Sequence, residues 1–236
     1  MGKLRLDKWL ADMGVGTRSE VKRAIIKGQV SVDGVIIKRP ETKIDTAQSK
    51  VEFMGQDVGY VRYEYYMLYK PAGVVSATKD KKDKCVVEFI ESPRCKDLFP
   101  VGRLDKDTEG LLLVTNDGAL AHKLLAPSRH VDKVYHAQVS GKLTEADVNR
   151  FEEGLDIGDE KRTMPARLVI IKSGELSEAE VTIQEGRFHQ VKRMFRAVGK
   201  EVVYLKRLSM GGLTLDPSLE PGSYRELTKE EIDKLC

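Results

Sequence analysis

The sequence is poor in the features that mark several large protein classes. It has three cysteines, Cys85, Cys95 and Cys236. Their number is odd and no Cys-x-x-Cys pair occurs, so neither a disulfide framework nor a zinc site is supported. Apolar runs such as Leu111–Val114 fall far short of the ~20 residues a membrane helix needs. The opening MGKLRLDKWL lacks an apolar core followed by a small-residue cleavage site, so a cytoplasmic protein without membrane contact is expected. His122, His130, His136 and His189 are scattered without ligand spacing, and no metal is expected. There is no internal repeat and no low-complexity tract.

What is present argues for folded domains. The chain has 236 residues, 41% hydrophobic and 33% charged, enough for one large domain or two smaller ones with a real core. The net charge is only +3, yet it is unevenly placed. Residues 1–43 hold ten Lys/Arg against five Asp/Glu, and residues 185–207 hold seven against two. Two separated basic stretches in a nearly neutral chain suggest a polyanion that touches both.

Leu6, Trp9, Leu10 and Met13 recur at helical spacing, and Gly14 follows as a stop. Thr17 and Glu20 have capping-box spacing for a second helix that Gly28 ends. Val21, Ala24 and Ile25 face its core, leaving Arg18, Lys22, Arg23 and Lys27 outside. Like charges four residues apart are mutually unfavourable, which phosphates would relieve. Asp33-Gly34 between Val30–Val32 and Val35–Ile37 is a hairpin signal. A strand and a short joint fill 44–60. Beyond it, strand-like runs at Tyr65–Tyr69, Leu111–Thr115, Lys133–Val139, Arg167–Ile171 and Ala179–Gln184 are expected, with helices at about 84–91, 117–125, 144–153 and 187–198. That mixed order predicts an α+β fold with two domains, 1–59 and 60–236.

The first 45 or so residues resemble the RNA-binding domain shared with ribosomal protein S-four. The likeness runs through Arg5-Leu6-Asp7-Lys8, Thr17-Arg18-Ser19-Glu20, Lys27-Gly28-Gln29-Val30 and Val32-Asp33-Gly34. It implies RNA bound across Arg5, Lys8, Arg18, Lys22 and Arg23. Gly102-Arg103-Leu104-Asp105-Lys106-Asp107-Thr108-Glu109-Gly110-Leu111-Leu112-Leu113-Val114-Thr115-Asn116-Asp117-Gly118 is the most informative segment. Asp105, Asp107, Glu109 and Gly110 match the first half of a calcium loop, but position twelve is Asn116 where that loop needs a bidentate Glu. The whole segment instead resembles the signature of the bacterial ribosomal RNA pseudouridine synthases of the RsuA family. Tyr66–Gly73, Lys133-Val134-Tyr135 and Glu185–Met194 resemble further motifs of that family, and the ending from Gly211 to Arg225 looks most like its 16S rRNA branch.

The resemblance implies a small N-terminal α/β RNA-binding domain, followed by a catalytic domain with a mixed, largely antiparallel sheet flanked by helices. It assigns the catalytic carboxylate to Asp105, a base-stacking ring to Tyr135 and the accompanying cation to Lys192, where many relatives carry arginine. The resemblance likewise implies that Leu205 packs the pocket's other side, and Arg103 and Arg187 are expected to position RNA or brace the site. The chemistry fits. Glycosidases ordinarily use two carboxylates. Uracil leaves as a delocalised anion, so one carboxylate can suffice, as nucleophile at the anomeric carbon or as base at the 2′ carbon. A neighbouring cation keeps such a carboxylate charged in an apolar pocket, and adjacent residues on one element diverge, so only one of Lys192 and Arg193 is expected to reach it. No cofactor is implied. The expected partner is 16S rRNA in a small-subunit assembly intermediate, with the protein acting as a monomer. The rival readings are a sister enzyme acting on 23S rRNA, a non-catalytic rRNA-binding assembly factor, and a nucleoside hydrolase, which would ordinarily show a second catalytic carboxylate or a calcium cluster and would not explain the basic N-terminal module.

Overall fold

The computed structural model describes residues 2–235, so Cys236 lies outside the described residues. The chain divides into two compact units, Met1–Tyr63 with Glu91–Asp97, and Glu64–Ile90 with Leu98–Cys236. This differs from the expected division into 1–59 and 60–236. The first unit runs through Tyr63 and takes back a later segment. The Arg94 guanidinium donates to the Val61 and Arg62 carbonyls at 3.1 and 2.7 Å. Pro93 lies so close to Gly14 that a Cβ there would sit 2.6 Å from the proline Cβ. Such contacts between distant segments leave no trace in local composition.

The first unit contains β1 (Lys3–Arg5), α1 (Leu6–Asp12), α2 (Arg18–Ile26), β2 (Val30–Val32), β3 (Val35–Ile36), β4 (Lys43–Asp45), β5 (Val51–Phe53) and β6 (Gln56–Asp57). The capping box starts α2: the Thr17 N–H donates to Glu20 Oε2 at 2.8 Å, and the Glu20 N–H to Thr17 Oγ1 at 3.3 Å. Asp33 and Gly34 both adopt positive φ, 51° and 79°, as the tight hairpin between β2 and β3 requires. The strands order β3-β2-β5-β6, with β1 paired to β4 separately. Leu6, Trp9, Leu10, Val21, Ile25, Val30 and Val51 form the core, and the Trp9 indole N–H finds the Val58 carbonyl at 2.8 Å.

The second unit contains β7 (Tyr65–Lys70), β8 (Phe99–Pro100), β9 (Glu109–Thr115), α3 (Gly118–Leu125), β10 (Lys133–Ser140), α4 (Glu145–Glu152), β11 (Arg167–Lys172), β12 (Leu176–Ile183), α5 (Gln190–Ala197), β13 (Glu201–Met210), β14 (Leu213–Thr214), β15 (Tyr224–Glu226) and α6 (Lys229–Leu235). Its sheet runs β11-β12-β10-β13-β9-β7-β15, with β14 on β13 and β8 on β9. All pairings are antiparallel except β13 with β9, which is parallel. Apolar side chains cover both faces, so β7 and β9 read as continuous apolar runs rather than alternating ones. The helix expected at 84–91 is only a short 3₁₀ turn, Val86–Phe89, and α5 starts at Gln190 rather than 187 because His189 adopts φ 48°. The long strand β13 was not anticipated as an element. Its burial is irregular along its length, which hides the period of two. No helix among the described residues is long and apolar enough to cross a membrane.

Candidate active site

Asp105 sits on the loop between β8 and β9, and three features of the sequence hold that loop in place. Gly110 has φ +103°, and a Cβ on it would lie 2.2 Å from the Arg207 carbonyl oxygen. Glycine is therefore what lets β9 come alongside β13. The Ser76 hydroxyl donates to the Leu104 carbonyl at 2.8 Å and accepts from the Leu104 N–H at 3.0 Å. Lys70, fully buried, donates to the carbonyls of Pro71 (3.0 Å), Lys106 (3.2 Å) and Thr108 (2.8 Å). Burial pulls the Lys70 ammonium down to about 8, against the opposing pull of Asp107, Asp105 and Glu109. Three carbonyls around one ammonium make this lysine a clamp for the loop that carries Asp105.

The Asp105 carboxylate is 23% exposed. Lys192 Nζ lies 3.2 Å from its Oδ2, and His189 Nε2 lies 3.6 Å from its Oδ1. Lys192 is a bridge rather than a simple partner, because the same ammonium donates to Asp107 Oδ1 at 2.5 Å. Burial would raise the Asp107 carboxyl, but the bond to Lys192 and its charge outweigh this and hold it below the usual carboxylate range. Asp107 is 75% exposed, and in the sequence it looks like any surface turn aspartate. The adjacent Arg193 points elsewhere, donating to Ile157 O and to Asp159 Oδ1, each at 2.5 Å. One turn of α5 thus sends Lys192 to Asp105 and Arg193 to the segment around Asp159.

The remaining expected residues fall into two groups. Tyr135 and Leu205 are buried on the neighbouring strands β10 and β13 and line the same cavity as Asp105, with a volume of about 640 Å³. That size is within the range of small-ligand sites. Arg103 is exposed and also lines it. Arg187 lines it too, but its donors are engaged. They reach Glu185 Oε2 (2.9 Å) and the Lys161 and Arg162 carbonyls (2.5 and 2.7 Å), so it braces the 159–162 segment. In the first unit, Lys8 pairs with Asp12 at 3.0 Å. Arg5 and Arg18 converge on the buried Asp7 at 2.8 and 3.5 Å. Lys22 and Arg23 are exposed on α2 with no ion pair among the described residues.

Sequence reasoning missed Asp107, while Lys70, a lysine ending an apolar strand before Pro71 and so a structural candidate in the sequence, clamps the loop. It also passed over Lys133, Thr108 and Arg207, which are buried and line the cavity. Lys133 and Tyr135 lie two apart on β10, and Leu205 and Arg207 two apart on β13, so each pair shares a face of the sheet. Among the described residues, no group of three or more His, Cys, Asp and Glu is arranged to hold a metal ion.

Comparison with known proteins bears on what this cavity does. The RNA pseudouridylate synthase family profile matches residues 64–197, and the S4 domain profile matches residues 4–48. The chain is 46% identical to the "uncharacterized RNA pseudouridine synthase YtzG" of Bacillus subtilis, over 98% of each chain. It is 38% identical to the ribosomal small subunit pseudouridine synthase A of Vibrio parahaemolyticus, over 98% of this chain and 99% of the other. The Escherichia coli protein of that name is also 38% identical, over 97% and 98% of the two chains. A crystal structure of a pseudouridylate synthase superposes with a TM-score of 0.70 at 37% identity, covering 99% of this chain and 100% of the other.

Proposed function

The chain belongs to the RNA pseudouridylate synthase family, an isomerase of the RsuA type with an S4 domain, and from that premise we propose that it converts one uridine of 16S rRNA to pseudouridine, with Asp105 as the reacting carboxylate. The observation that carries the reading is the Asp105–Lys192 pair at 3.2 Å inside a cavity that Tyr135 also lines. The names of the Vibrio and Escherichia relatives, each a small-subunit enzyme, favour 16S over 23S rRNA.

In this mechanism the target uridine swings out of the folded RNA into the cavity. The Tyr135 ring recovers part of the stacking that the base loses, and Leu205 packs its other side. Asp105 either attacks C1′ or removes the 2′ proton, and both routes release uracil as a delocalised anion. The ring turns and C5 bonds to C1′ as the Asp105–C1′ bond breaks or, by the other route, as Asp105 returns the proton to C2′; the C5 proton is then lost while N1 gains one. Nothing is oxidised or reduced, and no cofactor takes part. Lys192 keeps the carboxylate charged and aimed. Lys70 and Ser76 hold the loop beneath it. The S4 unit binds RNA phosphates, chiefly through Lys22 and Arg23, with Arg5, Lys8 and Arg18 beside them. Because the target base must be accessible, the substrate is an assembly intermediate in the cytoplasm, and the enzyme acts as a monomer.

The test has two parts. Pseudouridine mapping of rRNA from cells lacking the gene should lose one site in 16S rRNA. A missing site in 23S rRNA would reassign the target, and an unchanged map would remove the assignment. Asp105→Asn should abolish pseudouridine formation while RNA affinity stays within about threefold, and turnover at the wild-type rate would take Asp105 out of the mechanism.

A further inference from the structure

The buried end of the cavity carries positive charge that the mechanism above leaves unused. Arg207 on β13 is 2% exposed. Its Nε–H donates to the Leu111 carbonyl at 2.8 Å, and its Nη2 has no acceptor among the described residues. It pairs with no carboxylate of a described residue, although a buried unpaired cation is costly. A second buried cation, Lys133, lines the same cavity and donates to the Val131 carbonyl at 2.8 Å. Burial, and then the charge of Arg207, pull its ammonium below the ordinary lysine range. Of the nearby acids, Asp132 adjoins Lys133 and accepts from the Gln184 amide at 2.9 Å, and two others are paired with other cations. Glu185 is bonded by Arg187 at 2.9 Å, and Asp105 by Lys192 at 3.2 Å. Among the described residues, two buried side-chain polar atoms lack a hydrogen-bond partner, Arg207 Nη2 and Thr108 Oγ1, and both residues line this one cavity. Two unmet polar groups and an uncompensated charge in one place indicate a polar ligand bearing negative charge.

Two parts of a target nucleotide could meet that description, its phosphate or its base. Inside an RNA strand the phosphates are tethered on both sides and stay near the surface. The base is the free end and can enter a buried pocket. Arg207 is also the register partner of Tyr135 on β10, the residue placed against the base. Resting on the reading of this cavity as the uridine site, we propose that Arg207 is a further catalytic residue, whose Nη2 donates to a carbonyl oxygen of the target uracil and stabilises the ring's charge when the C1′–N1 bond breaks. In that step the bonding electron pair stays on the ring, shared among N1, O2 and O4. The charge lasts until C5 bonds to C1′, and the neutral ring then loses the C5 proton and gains one at N1. A preorganised buried donor aimed at developing charge answers the question a single-carboxylate mechanism raises, namely what replaces the acid on the leaving-group side.

The test uses the full-length enzyme and a 16S rRNA transcript. Arg207→Met should lower kcat by about 10²-fold, the loss typical of removing one such donor, with the Kd for RNA nearly unchanged. Free bases supply the second arm. Inhibition of wild type should be stronger by 5-nitrouracil, which is an anion near neutral pH, than by neutral uracil. That preference should vanish in Arg207→Met and survive in Arg207→Lys, which keeps the charge. Should the methionine variant not fold, the wild-type preference and the lysine variant carry the test. Equal inhibition by the two bases, no inhibition by either, or an unchanged preference in Arg207→Met would overturn the proposal. A loss confined to RNA affinity would also overturn it, by assigning the guanidinium to a phosphate. Asp105→Asn separates the two ideas. If it is inactive while Arg207→Met behaves as wild type, only the role of Arg207 falls. If Asp105→Asn turns over normally, the reading of the cavity falls with it.

Discussion

Lys192→Met removes the ammonium that stands between two carboxylates, Asp105 at 3.2 Å and Asp107 at 2.5 Å. Coulomb's law with an effective dielectric of about 20 gives roughly 5 kcal/mol for unit charges at 3.2 Å. The pair is not sealed from water, since the lysine and Asp105 side chains are 20% and 23% exposed, so the realised loss is smaller, about 3 kcal/mol. If that loss falls on the transition state, kcat drops by about two decades. RNA affinity should hold, because Lys192 pairs with Asp105 in the cavity and does not belong to the α2 face proposed to bind phosphates. The bridge geometry adds a sharper expectation. Asp107→Asn alone leaves Lys192 with Asp105 and should change kcat by no more than about threefold. Combined with Lys192→Met, it removes one of two facing like charges and should recover part of the lost rate. Two residues that share a partner are expected to be non-additive by 0.5–3 kcal/mol, roughly. Single-turnover formation of pseudouridine in a 16S transcript reads all three variants. A Lys192→Met enzyme within threefold of wild type, or strict additivity with Asp107→Asn, would refute the account of Lys192 as the cation that serves Asp105.

Charge reversal at Lys22 and Arg23 should flatten the plot of log Kd against log salt by about 0.7–0.9 for each phosphate that is no longer neutralised. Both side chains are exposed, so melting should not change, and an unaltered slope would mean that RNA takes another path. Glu231 gives a pH test of stability. Its bonds to Arg225, at 2.7 and 2.8 Å, pull its carboxyl from the ordinary 4.5 to about 2 in the fold. A depressed carboxyl contributes stability that is complete above pH 4.5 and is lost as pH falls toward 2. The stability gap between wild type and Arg225→Leu, followed by denaturant titration, should therefore narrow across that window, and a constant gap would show that the fork contributes nothing through Glu231.

Much of this protein was legible before any coordinates, because its signals are local. The Thr17/Glu20 cap and the Asp33-Gly34 hairpin each act over a few adjacent residues, where backbone sterics and short-range hydrogen bonds decide the outcome. The segment from Gly102 to Gly118 is contiguous, so its likeness to a family could be seen whole. Helices near 118, 145 and 190 were legible as helical stretches, while β13 was not, because it borders different neighbours along its length. Arg207 resembled any other basic residue, and what Lys70 binds could not be read, since burial of a charge depends on what folds over it.

The sequence alone determined the class of chemistry and the basic helix face, and it singled out Asp105 as the proposed carboxylate, all of them readings of residues close together in the chain. Tertiary structure alone decided that the fully buried Lys70 clamps the Asp105 loop, that Lys192 is shared with Asp107, that Glu91–Asp97 returns to the first unit, and that Arg207 lies beside Tyr135 with a donor unmet. Each of those joins residues far apart along the chain. Pairings of that kind arise from strand order and the β9–β13 seam, which depend on the energy of the whole core rather than on any local pattern.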